Sequence, residues 1–156
     1  IKQFGGFCIG GACYPEGHPE SATLFSDIEN LKRKVDAGCD YLTTQMFYDN
    51  DLFYSFLAKA YSAGITVPII PGIMPITRAS QIKRTFTLSG SPIPSKFRRI
   101  VDRFGDNPEA MRSAGVAYAT EQVIDLYANG IRAVHIYSMN KPEVARAIKA
   151  NLAGII

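Results

Sequence analysis

The sequence predicts a parallel α/β fold, and three observations carry that reading. Four short segments, residues 7–13, 40–45, 67–71 and 133–137, are apolar or β-branched and lack the clean alternation of a half-solvated strand. Each is followed by apolar residues at helical spacing. The alternation of the two patterns is that of right-handed βαβ units. Two architectures meet this pattern equally: a run of units from a TIM barrel, or a doubly wound sheet covered on both faces.

The elements follow in order from local chemistry. After the first strand a helix is expected over about residues 21–37, with Leu24, Ile28, Leu31 and Val35 on one face and Gly38 as its terminator. The second strand leads into a helix over about 51–63, capped by Asp49, Asn50 or Asp51 and ended by Gly64. Its inward residues are Leu52, Phe53, Phe56, Leu57, Ala60 and Tyr61. Beyond the third strand, Pro71, Gly72 and Pro75 break the chain, and Thr77 caps a helix expected over 78–88. Ser95 is expected to cap a helix over 96–104. Asn107 caps another over 108–128, with Pro108 in the first turn, where its missing N–H costs nothing, and Gly130 as its stop. After the last strand Pro142 opens a closing helix with Val144, Ile148 and Leu152 on one face.

Composition narrows the function classes. The 156 residues are 47% hydrophobic and 20% charged, which suits one globular domain with a core and argues against disorder. A net charge of +3 with no aromatic-interleaved basic stripe is no nucleic-acid signature. Cys8, Cys13 and Cys39 form no CxxC pair and have no histidine at zinc spacing, so a reducing, cytoplasmic setting without a metal site is expected. No stretch approaches the roughly 20 apolar residues that span a bilayer, so no membrane partner is expected. The chain opens on Ile1, and the expectation is that it begins inside a longer gene product or was trimmed. GxGxxG, P-loop, HExxH and Ser–His–Asp arrangements are absent.

In either architecture ligands meet the carboxyl ends of parallel strands. Those ends carry Tyr14, Glu16, His18 and Glu20 after the first strand and Gln45 after the second. Tyr14 and His18 offer flat rings with polar tips, and Gln45 carries a donor and an acceptor on one amide that can read a heterocycle edge. Each also has a plainer reading. Tyr14-Pro15 can shape a loop, His18 can bridge backbone groups, Gln45 can satisfy a loop carbonyl, and Glu16 and Glu20 can be solvated. His135, inside an apolar strand, is expected to be a hydrogen-bonded core histidine. On the first helix Asp27, Asn30 and Lys34 share a face at i, i+3 and i+7. That stripe is either a solvated face with local pairing or a track for an elongated ligand with sugar and phosphate groups.

Four blocks, 12–21 (ACYPEGHPES), 27–49 (DIENLKRKVDAGCDYLTTQMFYD), 68–76 (PIIPGIMPI) and 135–140 (HIYSMN), together resemble the methylenetetrahydrofolate reductase family in order and spacing. The resemblance covers nearly the whole chain. It implies a (β/α)8 TIM barrel of which residues 1–156 are the last four β/α units, a half-barrel holding strands five to eight. It implies FAD as cofactor, NADH or NADPH as co-substrate, and reduction of 5,10-methylenetetrahydrofolate to 5-methyltetrahydrofolate. Hydride passes first from nicotinamide to flavin and then from flavin to folate.

Carried over by position, Tyr14, His18, Ser21, Asp27, Asn30, Arg33 and Lys34 resemble the FAD contacts. Gln45 resembles the amide that holds the pterin and orients the nicotinamide. Gln81 and Lys141 resemble substrate contacts, Lys141 near the folate's acidic tail. Lys141 stands where the family often has arginine, Thr85 where some members carry an aromatic ring, and Cys39 where alanine is usual. The general acid of the family lies in the amino-terminal half of the barrel, which is therefore the expected partner. A homo-oligomer is also expected. The alternative is a non-catalytic half-barrel that dimerises or binds a partner through open sheet edges.

Overall fold

The computed structural model describes residues 1–82, 85 and 93–155. The chain divides into two compact units, Ile1–Gln45 with Asp51–Pro71, and Met46–Asn50 with Gly72–Ile156.

The first unit holds β1 (Gly10–Cys13), α1 (Leu24–Asp36), β2 (Tyr41–Thr44), α2 (Asn50–Ser62, in this unit from Asp51) and β3 (Ile69–Ile70). Its three strands form an all-parallel sheet in the order β1-β2-β3. Gly10 lies opposite Tyr41, Cys13 opposite Thr44, and Leu42 opposite Ile69. β1 is shorter than the expected 7–13, and Phe7 is 62% exposed. The ladder begins with Gly10 opposite Tyr41, and before it Ile9 O accepts from Asp40 N (2.8 Å) in the turn that precedes β2. Asp40 also closes the sheet's edge. Its carboxylate accepts from Ile9 N (2.8 Å) and from Lys2 Nζ (2.6 Å), and these partners hold its pKa below the usual carboxylate range.

α1 begins at Leu24 rather than near Ser21. Thr23 and Ser26 form a capping box, with Ser26 N donating to Thr23 Oγ1 (3.1 Å) and Thr23 N to Ser26 Oγ (3.2 Å). Ser21 is instead held in a turn by its N–H on His18 O (2.9 Å). Gly38, at φ +115°, ends the helix as expected, because this conformation strains any side chain with a Cβ. Ile28, Leu31, Phe53, Phe56, Leu57 and Ala60 are buried, together with Leu42 and Ile69 of the sheet. The sheet's other face is barer: Gly10 and Ala12 are exposed, and Tyr41, Thr43 and Ile70 are half-buried.

The second unit holds β4 (Gly72–Ile73), α3 (Ser95–Phe104), α4 (Pro108–Ala128), β5 (His135–Ile136) and α5 (Pro142–Asn151). β4 and β5 pair in parallel, Gly72 opposite His135 and Ile73 opposite Ile136. The single strand expected over 67–71 is thus two short ones flanking Pro71, which has no N–H to give to a ladder. β5 is shorter than expected because β4 offers it two partners only. His135 is exposed, against the expectation of a core histidine, and its ring meets Tyr137 edge-on at 4.5 Å.

Of the helix expected over 78–88, Arg78, Ala79 and Ser80 form a bend and turn, with Gln81 N on Arg78 O (3.1 Å), so the helix begins later than expected; Gln81, Ile82 and Thr85 are helical, and residues 83, 84 and 86–88 lie outside the described residues. α3 starts on Ser95 itself, with Pro94 in the cap position and no side-chain cap. Asn107 caps α4 as expected, its Oδ1 accepting from Glu109 N and Ala110 N, both at 3.1 Å.

α4 buries two stripes, Met111, Gly115, Tyr118 and Gln122 on one and Val116, Ala119, Val123 and Leu126 on the other. It needs both because α3 and α5 each pack against it. Phe97 and Tyr118 meet edge-on at 4.7 Å in a core with Tyr48, Ile76 and Met111. α4 also clamps the loop that follows β2. Tyr118 Oη donates to Tyr48 O (2.8 Å), Gln122 Nε2 to Phe47 O (3.3 Å), and Asn50 Nδ2 to Gln122 O (3.0 Å).

Gly115 sets how closely α4 approaches the segment after β4, since a Cβ there would lie 1.8 Å from Ile76 O. Gly115→Ala is expected to lower stability by about 3 kcal/mol or more, read as a fall in urea midpoint, because the backbone must move to admit it. An unchanged midpoint would contradict this packing.

Candidate functional site

The loop after β1 is two consecutive turns, Gly17 N on Tyr14 O (3.0 Å) and Ser21 N on His18 O (2.9 Å). Gly17, at φ +92°, permits the first. The turns bring the Tyr14 and His18 rings edge to face at 4.6 Å. His18 Nδ1 accepts from Glu20 N (3.2 Å), which bears out its backbone-bridging role and leaves Nε2 as the nitrogen that can donate. Both rings are half-buried.

The helix stripe splits in character. Asn30 and Arg33, both exposed, hydrogen-bond each other, the local pairing of the plainer reading. Asp27 is buried and accepts from Ser21 Oγ at 2.8 Å. Lys34 makes a long-range contact: Nζ donates to Ala12 O on β1 at 2.7 Å. The reach follows from helix geometry, since side chains lean toward the helix amino terminus and the lysine stem lies back along α1. It passes over Gly11, where a Cβ would meet Cys39 Sγ at 3.0 Å and Lys34 Cδ at 3.2 Å. Cys39, expected to serve packing, does so here.

Gln45 is tied to the same place by its N–H on Cys13 O (2.7 Å). At the carboxyl ends of β1 and β2, Lys34 and the Gln45 backbone thus meet Ala12 and Cys13, Tyr14 and His18 pack together directly after β1, and Asp27, bonded by Ser21, is near enough for its charge to act on Cys13. The Cys13 thiol is buried. Burial pushes its pKa up to about 12, Lys34 pulls it down by less, and Asp27 adds slightly to the rise. This arrangement offers aromatic rings, an amide, a carboxylate and an ammonium along one track.

Gln81 and Lys141 belong to the second unit. Gln81 Oε1 accepts from Thr77 N (2.9 Å) and Thr77 Oγ1 (3.2 Å), so its side chain helps start its own helix. Lys141 follows a tight turn, Lys141 N on Ser138 O (3.0 Å), whose central residues Met139 and Asn140 are left-handed at φ 49° and 59°. Such a conformation costs a methionine roughly 1–2 kcal/mol, which the surrounding packing must offset. Lys141 lines a groove with Arg78 and Arg112, two cations that sequence reasoning did not single out. They lie 34 residues apart with no shared periodicity to betray them. Thr85 is buried, with a side-chain hydrogen bond to Tyr48, so it has no surface to offer a ligand. Phe86 lies outside the described residues. Among the described residues there is no group of three or more metal-ligating side chains, and no helix is long and apolar enough to cross a membrane.

Fold and site together define a parallel α/β protein that presents aromatic, amide and charged side chains at its carboxyl strand ends. Residues 1–153 match the family model of methylenetetrahydrofolate reductase, and the chain belongs to that family. It is 41% identical over 155 residues to methylenetetrahydrofolate reductase (NADH) 1 of Zea mays, covering 94% of this chain and 26% of the maize protein. It is 36% identical over 148 residues to 5,10-methylenetetrahydrofolate reductase of Escherichia coli K12, covering 95% of this chain and 50% of the bacterial protein. The chain thus spans half the length of that bacterial relative and about a quarter of the plant one. A solved protein of Clostridium thermocellum, described as binding two copies of 5-methyl-5,6,7,8-tetrahydrofolic acid, shares the fold. Its TM-score is 0.65 at 21% identity, over 96% of this chain and 54% of that one.

The contrast among the cysteines gives a direct check. At pH 8 a thiol with a pKa of about 12 is ionised in roughly one molecule in ten thousand, and Cys13 is also buried. Mass spectrometry after brief iodoacetamide treatment is expected to find Cys8, which is exposed, alkylated and Cys13 unmodified. Denaturation should equalise them. Equal labelling of the native chain would place Cys13 outside the core.

Proposed function

We propose that residues 1–156 are the carboxyl-terminal half of a (β/α)8 barrel that reduces 5,10-methylenetetrahydrofolate, carrying most of the FAD contacts and part of the folate site. The observation that carries this reading is that the Tyr14–His18 ring pair follows β1 directly, where Lys34 donates to Ala12 O and the Gln45 backbone N–H to Cys13 O. The length relation to the bacterial relative, the parallel sheets and the barer face of β1 and β2 support a half-barrel whose interior the rest of the protein covers.

The donor set suits FAD. Tyr14 and His18 present rings and polar tips for the flavin and ribityl portion. Asp27 and Asn30 can accept and share hydrogen bonds with sugar hydroxyls. Lys34 and Arg33 bring positive charge to phosphate, Lys34 as a point charge that must share itself with, or leave, Ala12 O. Ser21 orients Asp27 through its 2.8 Å bond. Bound FAD would supply the two-electron chemistry between a nicotinamide and the folate. Gln45 orients each of those partners through its amide, and Gln81 and Lys141 contact the folate. The name of the maize relative supports NADH as the nicotinamide. The general acid of the reaction lies outside this chain.

Flavin titration followed by fluorescence quenching, with and without the amino-terminal half of the barrel, tests the reading. Binding is expected to strengthen when that half is present, and NAD(P)H–menadione turnover to require it. Lys34→Ala is expected to weaken FAD binding about ten- to a hundredfold while far-UV circular dichroism is unchanged. Full turnover by the chain alone would refute the division of labour. A colourless homodimer indifferent to flavin would instead favour a non-catalytic half-barrel that pairs through its open sheet edges.

A further inference from the structure

On the helical side of the first unit, a groove of about 580 Å³ runs between α1 and α2. Leu24, Phe25 and Ile28 form one wall, and Ala58, Ser62 and Ala63 the other. The short side chains of α2 leave the hollow, and Phe25 stands beside it 73% exposed. Each wall also carries a charge. Glu29 lies one turn after Phe25 on the same line of α1, in a smaller hollow that shares Ala63. Lys59 lines the groove from α2, its Nζ donating to Ser55 Oγ (3.0 Å). Glu29 and Lys59 are both exposed, and among the described residues neither forms an ion pair; those found are Lys2–Asp40, Lys32–Asp36 and Lys96–Glu121. Asp27, Asn30 and Lys34 belong to the opposite side of α1, so the groove does not overlap that stripe.

We propose that this groove is a twofold docking surface for a second copy of the chain, in which Phe25 of each copy fills the hollow of the other and Glu29 faces the partner's Lys59. A twofold interface sets one patch against itself, so the patch must hold both a knob and a hole, and charges of both signs. This patch holds all four. A symmetry axis along the groove lays α1 of one copy over α2 of the other. The wall with Phe25 and Glu29 then meets the wall with Ala58, Ser62 and Lys59. A partner of one charge sign would meet a like charge on one wall, whereas a second copy meets opposite charges on both. The proposal rests on the first unit alone and is independent of the catalytic reading.

Sedimentation velocity of the chain over about 1–100 μM, the range in which a small interface associates, tests it. A concentration-dependent monomer–dimer equilibrium is expected. Phe25→Ser should weaken it at least about tenfold, since an exposed aromatic is the anchor. Glu29→Lys and Lys59→Glu should each weaken it several-fold, and the two together should restore it, because the swapped pair attracts again. The three positions are exposed, so far-UV circular dichroism should be unchanged. A chain that stays monomeric throughout overturns the proposal. So does a dimer that withstands Phe25→Ser and both single swaps, which would place the contact elsewhere, such as the sheet edges. A double swap no tighter than either single one overturns the pairing of Glu29 with the partner's Lys59 and with it the twofold arrangement.

Discussion

The parallel pairing of β1 with β2, held in register from Gly10 opposite Tyr41 to Cys13 opposite Thr44, is the constraint on which the site depends. It brings the residues that follow both strands out side by side, so Tyr14 and Gln45 leave the sheet at the same edge. It also presents Ala12 O to the ammonium of Lys34. A slip of one residue would exchange the buried Leu42 and Thr44 for Tyr41 and Thr43 and turn the site inside out. Small residues make the register possible. Tyr41 lies against Gly10, where a Cβ would come within 2.4 Å of its ring, and Lys34 and Cys39 close over Gly11.

That sheet has one well-covered face and one barer one, an arrangement that parallel sheets rarely tolerate alone. The helices α1 and α2 supply the cover on one side through an apolar stripe that includes Ile28, Leu31, Phe56 and Leu57. On the other side Gly10, Ala12 and Thr43 carry little apolar area of their own. The second unit is organised differently. Its core is built on α4, whose two buried stripes let it serve α3 and α5 at once, and its two-residue strands contribute little area.

Element order and most helix boundaries were legible in the sequence because caps and stops are local. Asn107 with Pro108, Gly38 and Gly64 act within a few residues, and α2, α4 and α5 fall within a residue or so of expectation. Strand extents were not legible, since a strand ends where its ladder does: β1 starts at Gly10, and the backbone of Ile9 bonds to the turn at Asp40 instead. His135 was misjudged for the same reason, because burial of a strand residue depends on what covers its face. At the candidate site, residue types and family spacing pointed to Tyr14, His18, Lys34 and Gln45, and the strand register sets Tyr14 and Gln45 after neighbouring strands. The partners of each side chain were hidden. Ser21 on Asp27, Lys34 on Ala12 O and Gln81 on Thr77 are tertiary or local choices that composition does not specify.

The most direct measurement is amide hydrogen exchange of the chain with and without saturating FAD. The account predicts slowed exchange confined to residues 12–21, the segment 27–34 of α1 and the amide of Gln45, with α3 and α5 unaffected. Flavin-dependent protection that falls elsewhere, or none in those segments under conditions where FAD is bound, would contradict the claim that the joined ends of β1 and β2 hold the cofactor.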